Sequence, residues 1–193
     1  MQMSFSIQDT IVIIGDSPYL AEVEGIIHYI AQRYHSIGIN RVVNKIRTEK
    51  QILTDLPILK VANQHPYIPV ITLYKYGDLV KTETKELYNT FVYDKNNGVI
   101  YKDNELAWCG FTHDYAISYS IMKWYKNIVL IGAADFVQGA HYSSTDMFKP
   151  SNNLVNISKD YIENTCSKYA NIYTCNVKSI LNIKKLSIKN LLN

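Results

Sequence analysis

Thr10-Ile-Val-Ile-Ile14, running straight into Gly15-Asp16-Ser17-Pro18, is the stretch on which the fold turns. Five residues rich in β-branched types with no polar alternation read as a strand buried on both faces. The four that follow are a turn cluster. Beyond it Leu20, Val23, Ile26, Ile27 and Ile30 recur at helical spacing, so a helix is expected over 19–34. Ser17 suits its N-cap and Pro18 its first position. His35-Ser-Ile-Gly-Ile39 is a second short strand that stops at Asn40. Strand, tight turn, helix, strand opens a βαβ unit, which implies a parallel sheet.

The pattern is weaker through the middle. Thr48 to Leu59 reads as a short helix. Tyr67 to Tyr74 reads as a strand, with Pro69 placing it at an edge or giving it an irregular start. Residues 79–102 are polar, tyrosine-rich and turn-prone at Asn96-Asn97-Gly98, and read as a hairpin, an excursion over the sheet or a lid. After Gly110 the periodicity returns. Thr112 caps an expected helix to Trp124. Asn127-Ile-Val-Leu-Ile131 is a second buried strand ending at Gly132-Ala-Ala-Asp135-Phe136. A loop follows to Val155, then a helix over 158–169 capped by Ser158, then a strand over 171–175. Residues 177–193 form an apolar, basic tail. The expectation is a single α/β Rossmann-like domain over 1–193, with a mostly parallel central sheet flanked by helices.

Composition agrees. A chain of 193 residues suits one domain, and 47% hydrophobic with 19% charged residues supplies a core. That balance excludes whole-chain disorder. No apolar run approaches the ~20 residues that span a bilayer, and the first ten residues lack a signal-peptide pattern, so a cytoplasmic protein is expected. Cys109, Cys166 and Cys175 are odd in number and widely spaced, as free thiols are. Sixteen tyrosines with heavy Asn, Ile and Lys usage fit the AT-rich genome of a phage or bacterium. The net charge is +3, but its distribution says more: no acidic residue follows Glu163, while Lys168, Lys178, Lys184, Lys185 and Lys189 do. Such a block is either a solvated face or a contact for an anionic membrane surface. The excess of basic over acidic residues is confined to the tail, with no aromatic-basic motif, so nucleic acid is not an expected partner.

In an open parallel sheet, ligands bind beyond the carboxyl ends of the strands. Gly15-Asp16-Ser17, Asn40, and Gly132 through Asp135 should therefore converge. Gly15 would let a backbone approach a ligand, and the helix start after it would offer unpaired N–H groups to a phosphate. Neither the G-x-G-x-x-G fingerprint nor a Walker loop is present. The same turn also reads as an ordinary strand-to-helix connection. Asp16-Ser17 further fits the G-D-S block of an SGNH esterase, with Ser17 as nucleophile. That chemistry needs a D-x-x-H base, and His141 is preceded by Gln138 instead. His141 lies on the expected ligand side, where a neutral imidazole could deprotonate an acceptor hydroxyl. No histidine pair has metal-ligand spacing, so no metal is expected.

Four segments in order carry a resemblance. Ile-Ile-Gly15-Asp16-Ser17-Pro18-Tyr19-Leu20 resembles the G-x-G-P-S-L start of the bacterial sialyltransferases of the Campylobacter lipooligosaccharide type, and of the wider 6-hydroxymethylpterin pyrophosphokinase-like group. Ser36-Ile-Gly38-Ile-Asn40-Arg41 resembles their second strand. Trp124 through Phe136 resembles G-Y-K-x-I-x-L-x-G-x-D-F, and Ile172 through Leu181 their closing strand with N-x-x-S-x-L. The resemblance implies a Rossmann-like fold binding a nucleotide-sugar, most often a CMP-sugar, as donor substrate, with no obligatory cofactor or metal. It implies that Gly15, Asp16 and Ser17 approach the phosphate or ribose, that Asn40 contacts the nucleotide, that Thr112 faces the donor, and that Asp135 ends the central strand. His141 would be the base and Tyr142 would meet the departing phosphate. A glycan or other acceptor is the expected partner, with membrane contact through the tail and a homo-oligomer compatible with it. Asp16 stands where the family has Asn or Gly, and the segment after Asp135 is short. A non-catalytic nucleotide-binding or scaffold protein on the same fold is therefore the second reading, and the SGNH-type hydrolase the third.

Overall fold

The structure, a computed structural model, describes residues 5–136, 139–140, 147–148 and 151–192. The chain runs β1 (Thr10–Ile14), α1 (Leu20–Arg33), β2 (His35–Ile39), β3 (Lys50–Leu53), α2 (Leu59–Gln64), β4 (Val70–Leu73), β5 (Lys85–Val92), β6 (Tyr101–Lys102), β7 (Glu105–Trp108), α3 (Thr112–Met122), β8 (Asn127–Ile131), β9 (Gly139–Ala140), β10 (Met147–Phe148), α4 (Asn152–Asp160), β11 (Asn171–Thr174) and β12 (Lys184–Lys185). Short 3-10 turns and one π-helical turn at Tyr161–Thr165 fill several connections. Ten strands form one sheet in the order β12-β11-β8-β1-β2-β3-β4-β5-β7-β6, and β9 pairs with β10 apart from it. Every pairing in the large sheet is parallel except β6 with β7. This is the α/β, Rossmann-like architecture expected.

β1 explains why its residues are apolar without alternation. Val12 and Ile14 face a layer made by Leu20, Val23, Ile27 and Ile30 of α1, with Val42 and Ile46. Ile11 and Ile13 face the opposite layer, where Tyr115, Ile117 and Tyr119 of α3 meet Tyr161 and Ile162. A strand covered on both sides must be hydrophobic at every position.

Several expectations are corrected. Residues 48–59 are not a helix: Gln51 and Ile52 pair with both β2 and β4, Leu53 pairs with β4, and the helical turns begin at Leu56. β4 is an interior strand, and Pro69 only precedes it, its carbonyl accepting from Gln51 N–H at 2.9 Å. Residues 79–102 are neither a hairpin of their own, nor an excursion, nor a lid: β5 joins the sheet in parallel between β4 and β7, and β6 pairs with β7. Its pattern looked polar because its side chains are only half-buried or exposed. Thr112 is the first residue of α3, not its cap: Phe111 occupies that place, and its N–H donates to Asp114 Oδ2 at 3.1 Å. Ser158 sits inside α4, which starts six residues earlier than expected. The tail folds back. Leu186, Ile188 and Leu191 pack into the α1 layer and Leu181 into the α3 layer. Its apolar residues therefore complete the core, and β12 extends the sheet.

At the amino edge Glu86 of β5 joins β3 to α3. Its carboxylate accepts from Lys50 Nζ (2.7 Å), Tyr119 Oη (2.8 Å) and Tyr88 Oη (3.0 Å), and pairs with Lys123 Nζ at 2.9 Å. Burial opposes its ionisation, but the bonds from Lys50, Lys123 and Tyr119 outweigh it and hold the pKa down to about 2. A depressed carboxylate contributes stability that is complete above about 4.5 and lost as pH falls through about 2. Glu86→Gln should therefore lower the unfolding free energy at pH 7 by about 1–3 kcal/mol, discounted for the part of the side chain open to solvent. The gap to the wild type should close on acidification in urea titrations. A gap that stays constant with pH would exclude the charge network as its cause.

Candidate functional site

The strand order reverses at β1 and β8. From β1 the chain moves through β2 to β7 on one side, then returns to β8 on the other and continues to β11 and β12. The two turns that leave these neighbouring strands diverge, and the crevice between them is where open α/β sheets bind ligands. Here the turns are sewn together. Gly15 N–H donates to Ile131 carbonyl (3.0 Å) and Ser17 N–H to Gly132 carbonyl (3.1 Å). A Cβ on Gly15 would lie 2.2 Å from the Gly132 carbonyl oxygen and 2.6 Å from Ala133 Cα. Gly15 is thus small so that two backbones can touch, which differs from the expected approach to a ligand.

Ser17 Oγ donates to Asp135 Oδ2 at 2.7 Å and accepts the Tyr19 N–H at 3.1 Å. The N–H groups of Leu20 and Ala21 donate to the carbonyls of Ser17 and Pro18. Proline has no N–H. The first turn of α1 is therefore largely satisfied from within, against the expectation of unpaired donors for a phosphate. Asp135 is only 2% exposed, and its Oδ1 has no hydrogen-bond partner among the described residues. Burial pushes its pKa above the usual carboxylate range, against the bond from Ser17, the nearby Asn176 amide and the Lys185 charge. The Asn176 amide acts on the carboxyl without capping Oδ1. An orphaned buried acceptor costs about 1–3 kcal/mol. Burial, with Cys175, Asp135 and Glu22 nearby, raises the Tyr19 phenol to about 12. Ser17 gives its proton to a carboxylate and bonds no imidazole among the described residues, so the SGNH reading finds no base here.

A second corner lies at the ends of β2 and β3. Asn40 takes the left-handed conformation (φ 57°), which its short amide side chain tolerates. Its Oδ1 accepts from Thr112 Oγ1 at 3.1 Å, and Thr112 Oγ1 bonds Thr54 Oγ1 at 2.7 Å. Asn40 and Thr112 are thereby brought together. Thr54 was missed because its segment read as a helix. The apolar run Ile52-Leu53 before it was the signal available.

Phe136 joins the corners. It follows Asp135 and packs edge-on to Phe111 (5.4 Å) and to His113 (5.2 Å), which stack on each other at 5.0 Å. Gly132, Ala134 and Phe136 all have positive φ, so this segment is tightly coiled. Behind the aromatic trio, Ser158 Oγ donates to Asp114 Oδ1 and lies 3.1 Å from His113 Nε2. A hydroxyl has one proton, so His113 must donate from Nε2. Serine, histidine and aspartate meet here without forming a catalytic triad. The hydroxyl bonds the carboxylate directly, and Ser158 is fully buried.

Gly15, Asp16, Ser17 and Asp135 thus share one corner and Asn40 and Thr112 the other. His141 and Tyr142 lie outside the described residues. No group of three or more His, Cys, Asp or Glu among the described residues is arranged to hold a metal ion, and no helix is long and apolar enough to cross a membrane. A pocket of about 400 Å³ opens at the opposite, amino edge between Tyr34, Arg47, Glu49 and Tyr67. Its charges are already engaged, Glu49 by His35 at 2.8 Å and Arg47 over the Tyr67 ring. Compared with known proteins, the chain matches no family model, no curated protein and no solved structure.

Proposed function

We propose that the carboxyl edge at β1 and β8 is a nucleotide-sugar site and that the protein is a glycosyltransferase-like enzyme, with a CMP-sugar as donor. The observation that carries this reading is the topology. The sheet reverses where Gly15, Ser17 and Asp135 meet, and Asn40 and Thr112 close the neighbouring strand end. The donor would lie across both corners. In the transfer, an acceptor hydroxyl attacks the anomeric carbon, the bond from that carbon to the phosphate oxygen breaks, and the nucleotide leaves. The acceptor proton passes to a base, for which His141 is the candidate. Neutral hydroxyl and amide groups from Asn40, Thr54 and Thr112 suit the uncharged parts of the donor.

A non-catalytic nucleotide-binding protein is the second reading. The satisfied first turn of α1 and the carboxylates of Asp16 and Asp135 favour it, because both weaken the hold on a phosphate. One experiment separates the outcomes. Thermal unfolding is followed with CMP, UDP, GDP, ADP and their sugars. A ligand at a hundred times its Kd adds about 2.7 kcal/mol, which for a chain of this length raises Tm by about 5–10 °C. A shift with CMP or CMP-sugar alone, with sugar release in a coupled assay, is the expected result. A shift without turnover selects the second reading. No shift with any nucleotide, in folded protein, overturns both.

A further inference from the structure

The amino-edge pocket of about 400 Å³ falls within the size range of small-molecule sites, about 300–1,000 Å³. The length of β2, about 15 Å, separates it from the strand end that carries Asn40. Its walls are held in place by bonds of their own. Ser36 Oγ donates to the Ala31 carbonyl at 2.8 Å and accepts the Glu49 N–H at 2.9 Å, which ties the end of α1 to the segment entering β3. On the other side His65 bridges Tyr67 Oη (3.1 Å) and Asn44 Oδ1 (3.0 Å). Ala31, Tyr34 and Ile68 line the pocket as buried residues, whereas Tyr67 leaves 65% of its surface to solvent.

The contacts made by the two charges in this lining are partial. The Arg47 guanidinium lies over the Tyr67 ring, 5.7 Å from its centre, and a contact through the guanidinium face uses none of its five in-plane N–H donors. Arg47 has no hydrogen bond or ion pair among the described residues. His35 Nδ1 takes Glu49 Oε2 at 2.8 Å and leaves Oε1. The last turn of α1 lines the same pocket, so the negative end of its dipole adds to Glu49. A ligand with only a negative charge would be repelled by Glu49, and one with only a positive charge by Arg47. The two residues stand two positions apart in the chain, so the opposite charges they call for must be close together in one molecule.

We propose that this pocket binds a free α-amino acid with an apolar or aromatic side chain. Its carboxylate takes the open edge of Arg47, its ammonium takes Glu49 Oε1, and its side chain covers Tyr67 and Ile68. The site is independent of the carboxyl edge and does not rest on the nucleotide-sugar reading.

The test is isothermal titration of the whole protein at neutral pH with L-phenylalanine, 3-phenylpropionate, which lacks the ammonium, and 2-phenylethylamine, which lacks the carboxylate. Arg47→Gln and Glu49→Gln are titrated beside the wild type. Both side chains are exposed, so urea unfolding of the variants should match the wild type and exclude misfolding. The wild type should bind phenylalanine about 10- to 100-fold more tightly than either analogue, the range expected of a hydrogen bond to a charged group. Arg47→Gln should bring phenylalanine level with phenylethylamine, and Glu49→Gln should bring it level with phenylpropionate. A wild type that binds phenylpropionate as tightly as phenylalanine overturns the proposal in favour of a plain anion site. A ratio that survives in either variant overturns it too, as does the absence of binding heat up to about 10 mM phenylalanine.

Discussion

Gly15→Ala should be among the most damaging single-methyl additions to this protein, costing about 3 kcal/mol or more. The added Cβ would sit 2.2 Å from the Gly132 carbonyl oxygen, 2.6 Å from Ala133 Cα and 2.7 Å from the Gly132 carbonyl carbon. All three are backbone, so no rotamer change relieves the contact. The turn cannot retreat without giving up Gly15 N–H to Ile131 and Ser17 N–H to Gly132. Retreat would also separate Ser17 from Asp135, so the loss of stability should come with loss of whatever binds at that corner. Gly25→Ala is the internal control. That glycine lies on the exposed side of α1 with nothing within 4 Å of the built Cβ. There alanine should stabilise by about 0.5–1 kcal/mol through helix propensity. Chemical denaturation of the two variants measures both. Equal and small effects would mean that the two loops do not touch in solution.

That contact shows how much could be read before the fold was known. β1, β2 and β8 agree with expectation residue for residue; in β1 and β8 a parallel strand covered on both faces leaves four apolar residues in a row, and β2 was bounded by the helix before it and the stop at Asn40. β3 and β5 were lost for the opposite reason. Lys50 and Gln51 open β3, and the side chains of β5 reach solvent on a thinly covered part of the sheet, so neither carries the buried-strand signature. Ser158 looked like a cap because serine usually competes with the helix backbone. Its hydroxyl instead bonds Asp114, 44 residues away. The site followed the same division. That Gly15, Asn40 and Asp135 would share an edge followed from strand ends alone. The bond between Ser17 and Asp135 spans 118 residues and depends on β1 lying beside β8 in register, Ile14 opposite Ile131. No local pattern encodes that register. The satisfied first turn of α1 was equally hidden, since it depends on where the Gly132 carbonyl arrives.

His113 and Asp114 together should add almost no pH dependence to the protein's stability between about 4 and 7, and either one alone should add a steep one. Both side chains are sealed beside each other, His113 Nε2 lying 3.5 Å from Asp114 Oδ1. Burial drops the imidazole to about 3 and pushes the carboxyl to about 7, the latter against hydrogen bonds from Ser158, Phe111 and Cys109. In the folded protein the pair therefore holds one proton between about 3 and 7, whichever of the two carries it. In the unfolded chain it also holds one, on histidine, between 3.8 and 6.5. Equal proton counts in the two states mean no slope. The two signs cancel. A raised carboxyl contributes stability below its unfolded pKa that is lost as pH rises through about 7. A depressed imidazole contributes stability above its unfolded pKa that is lost as pH falls toward about 3. Asp114→Asn leaves the second term alone. Its unfolding free energy should fall by about 1.4 kcal/mol per pH unit on acidification below about 6.5, approaching 4 kcal/mol in all. His113→Gln leaves the first term, and its stability should fall by a similar amount as pH rises from about 4 to 7. Urea unfolding of the three proteins between pH 4 and 8 gives the curves. Deviations of opposite slope from the wild-type curve in the two variants are the expected pattern. Three parallel curves would mean that the pair is open to water and that α4, which supplies Ser158, does not seal it.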